Sequence, residues 1–222
     1  MKVLAISAHP DDETLGCGGT LLKHAEAGDS IYWIIATTPN SPAWPPEVIE
    51  AKAREVDCVA SAYGMKDCVR LGFPATGLDT VPLSEVIESM RNAISNIAPE
   101  VVYLVHGGDV HSDHQIVYSS AMAVMKPFYM SRMGVRRIVS YETLSSTDAA
   151  APGNGENFVP TIFSDISPYI ERKLEIMNLY QTEVHSFPSP RSSESIKALA
   201  RYRGATAALS HAEAFMLRRE LV

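Results

Sequence analysis

Short apolar runs rich in β-branched residues, each followed by a segment of helical period, recur along the chain and leave little freedom in how it folds. Runs at Val3–Ala8, Ile31–Thr37, Cys68–Leu71, Val101–Val105 and Arg137–Tyr141 read as strands, with a weaker one at Thr161–Ser164. Helices are predicted over 14–27, 47–63, 82–97 and 113–126; Gly64 and Pro99 end two of them, and Gly28-Asp29 turns the first back toward the second strand. Apolar strands alternating with helices are the pattern of a parallel sheet covered on both faces, so the expected fold is a three-layer α/β sandwich. A chain of 222 residues that is 46% hydrophobic buries a full core, and residues 1–222 read as one domain. Two more helices, 167–180 and 192–219, are predicted in the tail, separated by His185-Ser-Phe-Pro-Ser-Pro190, where the prolines forbid a continuous helix. Small polar residues from Ser145 to Gly155 read as a surface loop placed to act as a lid.

Charge and composition exclude several function classes. A net charge of -7 offers no general attraction to phosphate backbones, so nucleic acid is not an expected partner. Cys17, Cys58 and Cys68 form neither a CxxC pair nor an even-numbered disulfide framework; they read as buried free thiols in a reducing compartment. Neither a signal-peptide core nor a run long enough to span a membrane is visible, and the expected location is cytoplasmic.

Polar chemistry concentrates just after two of the strands. Ala8-His-Pro-Asp-Asp-Glu13 follows the first, at the carboxyl end where open α/β sheets bind ligands. A dinucleotide site is excluded, because Gly16, Gly18 and Gly19 lie too far along and the second strand ends in Thr37-Thr-Pro-Asn-Ser41 without an acidic residue for a ribose. Asp11, Asp12 and Glu13 also suit the positive end of a helix, which accounts for one carboxylate but not for His9, Asp11 and Asp12 together. A cation would reconcile them. The fourth strand runs into His106-Gly-Gly-Asp-Val-His-Ser-Asp-His114, bringing further ligands to a neighbouring strand end. His9, Asp12 and His114 make the three-ligand set of a catalytic zinc, and Asp11 is the adjacent carboxylate that can accept a proton from water. His111, three residues before His114, faces the same side if the segment is already helical, so one imidazole can bind metal while the other meets substrate.

With these residues in place the sequence resembles the PIG-L or LmbE-like family of zinc-dependent N-acetyl deacetylases. The resemblance rests on Ala8-His-Pro-Asp-Asp-Glu13 and Asp109-Val-His-Ser-Asp-His114, supported by Arg70-Leu-Gly-Phe-Pro-Ala-Thr-Gly-Leu78, Tyr141-Glu142, Tyr180-Gln181, Tyr202-Arg-Gly204 and Ala212-Glu-Ala-Phe215. It implies a Rossmann-like sandwich that hydrolyses the N-acetyl group of an amino sugar or sugar conjugate. It also implies zinc, or another divalent metal, on His9, Asp12 and His114. Asp11 is then the general base, and His111 stabilises or protonates the reacting amide, with Asp113 orienting it. The implied partner is a small N-acetylated sugar or conjugate, with self-association left open. A metal-dependent amidase on a non-sugar amide or thioconjugate, and a metal- or nucleotide-binding module without turnover, remain alternatives.

Some positions depart from the family pattern or weigh less. Ser112 stands where the family often has proline, and His211 where many relatives have tyrosine. The family's arginine on the helix after the second strand, which reaches an anionic part of the substrate, has no clean match, since both Lys52 and Arg54 lie near it. Trp44, in Pro42-Ala-Trp-Pro-Pro46, is placed to line a sugar cleft. His106 and Asp109 read as supports for metal-bound imidazoles or as turn formers, and His185 as a residue of the cleft rim. His24 reads as part of a solvated helix face and the methionines as core filler. No G-x-S-x-G elbow follows a strand, which argues against a serine hydrolase.

Overall fold

The computed structural model of the chain describes residues 1–40, 42–151 and 156–222. Seven strands form one sheet in the order β3-β2-β1-β4-β5-β7-β6: β1 (Lys2–Ser7), β2 (Ser30–Thr38), β3 (Asp67–Pro74), β4 (Val101–Val105), β5 (Arg137–Tyr141), β6 (Ile162–Asp165) and β7 (Ala212–Glu220). The first five run parallel, and β7 lies antiparallel between β5 and β6. The central strands are buried along nearly their whole length, so their inward-facing and outward-facing residues are both apolar. Helices α1 (Asp12–Glu26), α2 (Pro46–Tyr63) and α6 (Ile170–Met177) pack together, with α7 (Ser193–Thr206) against α6. The helices α3 (Leu83–Ile97) and α4 (Ser112–Val124) form a second group, and α5 (Pro127–Met133) follows α4. The three-layer α/β sandwich expected from the sequence is the observed fold.

Topology decides where a site can form. The chain leaves β1 toward β2 and β3 on one side, then returns to place β4 and β5 on the other. The loops after β1 and β4 therefore separate a crevice at the carboxyl edge of the sheet, the usual ligand position in open α/β folds. Both polar clusters fall on those two loops, each leading into a helix N-terminus.

The glycines of α1 belong to packing. A Cβ on Gly16 would stand 2.6 Å from Tyr141 Cγ, one on Gly19 would stand 2.7 Å from Ile166 Cγ2, and one on Gly18 would meet the Tyr63 hydroxyl. Tyr141 has no room to yield: it is fully buried, and its hydroxyl donates to the Ile6 carbonyl at 2.9 Å.

The tail corrects the sequence reading. The helix expected over 192–219 ends at Thr206; Ala208 adopts φ 57°, and residues 212–220 form β7. Ala, Glu, Met, Leu and Arg favour helix intrinsically, but pairing on both sides with β5 and β6 overrides that preference. Gly204 is the available signal, because a Cβ there would stand 2.7 Å from the Leu209 carbonyl oxygen as the chain folds back over the helix. The helix expected over 167–180 is shorter, Ile170–Met177, and α5 has no counterpart in the sequence reading. Cys17 is buried as expected, whereas Cys68 is half-buried and Cys58 is exposed on α2. His24 is not on a solvated face: Asp29 and Tyr103 contact its ring nitrogens at 2.7 and 2.9 Å, in a half-buried setting between α1 and the sheet. In the stretch read as a lid, 152–155 lie outside the described residues.

Gly16→Ala is expected to destabilise the fold by about 1–3 kcal/mol, because the new methyl group must displace the pinned Tyr141 ring. In a chain of this size that corresponds to a fall in Tm of roughly 2–12 °C, measurable by thermal unfolding. An unchanged Tm would show that the α1 to β5 contact is looser than the buried Tyr141 ring implies.

Candidate metal centre and active site

The turn from β1 into α1 is wound around one carboxylate. Asp12 Oδ2 accepts the backbone N–H groups of Ala8 and His9, each at 2.9 Å, which satisfies two amides the turn would otherwise leave unpaired. Its other oxygen, Oδ1, lies 3.3 Å from His114 Nε2. His114 sits in the first turn of α4, and its Nε2 is also 3.3 Å from His9 Nδ1.

The remaining ring nitrogens identify what these three atoms face. His9 Nε2 is 2.9 Å from Asp113 Oδ2, and His114 Nδ1 is 3.1 Å from Asp109 Oδ2. A carboxylate accepts, so each of those nitrogens carries the proton and donates. In the neutral tautomers, His9 Nδ1 and His114 Nε2 are then lone pairs directed at each other and at Asp12. Three acceptors converge with no donor between them, which is an arrangement for a cation. Ligand bonds of 2.0–2.1 Å about a tetrahedral ion place neighbouring ligand atoms about 3.3–3.4 Å apart, and the two 3.3 Å separations match. The residues fit a zinc-like divalent ion.

The supporting carboxylates are themselves held. Asp109 accepts from the His111 amide at 2.9 Å, from Thr147 Oγ1 at 2.8 Å and from the Ser146 hydroxyl. Asp113 accepts from the amides of Thr76 and Leu78 at 2.8 and 3.2 Å. Each of the two imidazoles thus has a fixed acceptor behind it, the arrangement that suits a metal-bound histidine. His9, His111 and Asp113 also converge, but Asp113 is already engaged by two amides and by His9.

Burial opposes charge on His114, yet Asp12 and Asp109 outweigh it and push the pKa up to about 10. Burial likewise acts against the charge of Asp12, and His114 and His9 overcome it, holding its carboxyl well below the usual range. The pocket is therefore built for positive charge at this point.

Asp11 is different. It adopts φ 103°, a left-handed conformation costly for a residue with a side chain, and it caps α1 without a side-chain bond. Its carboxylate is buried, and among the described residues neither oxygen accepts a hydrogen bond. Arg191 Nε stands 2.9 Å from Oδ2 as an ion pair, without the alignment of a hydrogen bond. Burial raises the Asp11 pKa well above the ordinary carboxylate range, with Arg191 opposing.

His111 is the residue that caps α4. The Asp113 amide donates to His111 Nδ1 at 3.1 Å, so that nitrogen is the acceptor and Nε2 carries the proton of the neutral ring. Burial, with His9 and His114 beside it, lowers the His111 pKa, which leaves the ring neutral at pH 7. The Asp113 contact to His111 is made by its backbone amide, not by its carboxylate, which faces His9.

These groups open onto one cleft of about 280 Å3. His9, Asp11, His111 and His114 line one side, with Trp44, Lys52, Glu183 and Arg191 among the other lining residues. Trp44 is where the sequence reading placed it. Lys52 reaches the cleft, whereas Arg54 is exposed and pairs with Glu50 at 3.7 Å. His185 is exposed and is not among the lining residues; from the same linker it is Arg191 that enters, and no motif marked it in advance. His106 supports no ligand: its ring contacts the Glu156 carbonyl at 2.7 Å and Arg218 at 2.8 Å. His211, at the foot of β7, lies away from the cleft lining.

Removing the acceptor behind His114 with Asp109→Asn is expected to weaken Zn2+ binding about 10–100-fold, read by chelator competition. Because the metal-free His114 pKa of about 10 exceeds the ordinary 6.5, its imidazole holds a proton at pH 7 that a metal must displace. Zinc affinity should therefore rise with pH between 6 and 8, with proton release on binding, measurable by calorimetry in buffers of different ionisation heat. Affinity independent of pH would mean that His114 is not a ligand.

The PIG-L family, described as GlcNAc-PI de-N-acetylase, matches residues 4–125, more than half of the chain and the part that carries both polar clusters. The chain is 28% identical over 186 residues to an uncharacterised deacetylase, YaiS, of Escherichia coli K12, covering 81% of this chain and 90% of that protein. It is 24% identical over 192 residues to diacetylchitobiose deacetylase of Thermococcus kodakarensis, covering 82% and 70%. Among solved structures, a conserved protein from Thermus thermophilus superposes with a TM-score of 0.77 at 26% identity, covering 99% of this chain and 95% of that one. With the family matched across the crevice loops and the fold matched over its length, the chain belongs to the PIG-L family of deacetylases.

Proposed function

We propose that this protein is a divalent-metal-dependent N-deacetylase, with zinc the best-fitting ion, acting on an N-acetylated amino sugar or sugar conjugate and releasing acetate. The observation that carries the reading is the convergence of His9, Asp12 and His114 beside a buried carboxylate, Asp11, that has no hydrogen bond of its own. The sugar is supported by the diacetylchitobiose deacetylase relative and by Trp44, a flat apolar surface in the cleft beside the charged Lys52, Glu183 and Arg191.

A divalent ion on this triad would polarise the acetamide carbonyl and acidify a water molecule. The protein's own residues then divide the remaining work. Asp11, free of hydrogen bonds and raised in pKa, accepts the proton of the attacking water. Its left-handed backbone directs the carboxylate into the cleft while Asp12, the next residue, turns back into the β1 to α1 turn. His111 presents Nε2–H to the oxygen on which negative charge develops, as a neutral donor held by the Asp113 amide. The proton stored on Asp11 is the one available for the departing amine.

Asp11→Asn is expected to retain zinc and lose several orders of magnitude in acetate release, while Asp12→Asn is expected to lose zinc. Equal metal loss in both variants would show that the roles are wrongly divided. His111→Ala should keep the metal and lose about 10²–10³-fold in kcat with a smaller change in KM. Since a lowered pKa leaves His111 neutral at pH 7, its charge changes only on the acid side, and the alkaline limb of the wild-type profile should persist in the variant.

A further inference from the structure

Beside the reacting groups the cleft holds two cations, Lys52 and Arg191, and each is already occupied. Lys52 Nζ contacts the Glu183 carboxylate, donates to Thr182 Oγ1 at 3.1 Å and lies 5.9 Å from the centre of the Trp44 ring. Arg191 stands between two carboxylates, with Nε 2.9 Å from Asp11 Oδ2 and Nη1 3.7 Å from Glu183 Oε2. Glu183 is not a loose surface residue that drifted there. The preceding Thr182 is bound through its amide and hydroxyl to Glu55 at 2.9 and 2.8 Å, and Glu55 lies on α2, the same helix as Lys52.

Glu183 faces both cations, and Arg191 also faces Asp11, so neither cation is left free to meet an anion. The metal side adds no surplus for a substrate, because the +2 of a divalent ion would face Asp12 in its ligand set and Asp109 and Asp113 behind the imidazoles. A phosphate or carboxylate entering here would have to displace Glu183 from two cations or accept repulsion from it. A neutral sugar meets no such conflict, since its hydroxyls can donate to Glu183 and accept from Lys52 or Arg191 without disturbing the balance.

We propose that Glu183 makes the cleft selective for uncharged N-acetylated glycosides over those bearing an anionic aglycone. This rests on the deacetylase reading and adds to it the charge class of the substrate and the residue that sets it. Glu183 is a specificity residue; it takes no part in proton transfer.

The test uses the zinc-loaded full chain with phenyl N-acetylglucosaminide and its 4-carboxyphenyl counterpart, which differ by one carboxylate. The wild type is expected to favour the neutral glycoside by about tenfold in kcat/KM, and Glu183→Gln to narrow or invert that ratio by about tenfold, because Lys52 loses its carboxylate partner and Arg191 loses one of two. The ratio between two substrates on one protein is insensitive to partial unfolding or metal loss. A wild type that prefers the carboxylate, or a ratio unchanged in Glu183→Gln, overturns the proposal while leaving the deacetylase reading intact. Acetate release from neither glycoside by zinc-loaded protein overturns the deacetylase reading instead. The dissociation constants of the two compounds, measured by calorimetry, then decide charge selectivity on the same expected order.

Discussion

The carboxylate of Asp12 has two jobs at once, and the site depends on both. One oxygen closes the β1 to α1 turn by accepting two amides; the other faces His114 from the loop beyond β4. Those two loops are brought together only because β1 and β4 are sheet neighbours that the chain reaches from opposite directions. A side chain one carbon longer would move the oxygens relative to amides that are fixed by the strand end. Short reach is therefore part of the geometry, and aspartate rather than glutamate satisfies it.

Burying this much negative charge is costly unless each group is paired or hydrogen-bonded. Asp109 and Asp113 meet the requirement with backbone amides, hydroxyls and imidazole N–H groups, so they are settled before any metal arrives. Asp12 meets it halfway, and its free oxygen is the one offered to the cation. Asp11 meets it least: buried, strained in backbone and without a hydrogen bond, it has the ion pair to Arg191 alone, and its environment makes accepting a proton favourable. A gradient of satisfaction, from Asp113 to Asp11, thus separates structural from reactive carboxylates that are indistinguishable by residue type.

The parts legible in the sequence are those fixed by local pattern. Val101–Val105 and Arg137–Tyr141 match the observed strands because continuous apolar runs of that length have few other uses, and the convergence of His9, Asp12 and His114 was foreseeable because they lie in the loops and helix starts that follow neighbouring strands. What was missed depends on long-range encounter. Nothing near Arg191 or Glu183 marks either residue; they reach the cleft because the linker after α6 is tied to Glu55 on α2. Nor does the sequence reveal that the Asp113 carboxylate serves His9 while its amide serves His111, since both interactions depend on the exact start of α4. The tail failed for a third reason: residues 212–220 have helix-forming composition and become a strand only between β5 and β6.

That misread strand also explains why a helix with the site's Asp11 and Asp12 at its start can contain three closely spaced glycines. The Gly19 and Thr20 amides donate to the Glu213 carboxylate at 2.8 Å each, and Lys173 Nζ donates to the Leu15 carbonyl at 2.9 Å. Lys173 and Glu213 pair at 2.8 Å and are both buried, so the two charges neutralise each other while serving the backbone around them. Side chains at Gly16, Gly18 or Gly19 would keep Tyr141, Tyr63 and Ile166 from closing around α1. The glycines therefore let β5, α2 and the segment after β6 close on the helix, and Lys173 and Glu213 tie its backbone to α6 and β7. Anchored in this way along its middle, α1 presents Asp11 and Asp12 from a rigid body, and the antiparallel strand far from the reaction contributes to where those carboxylates stand.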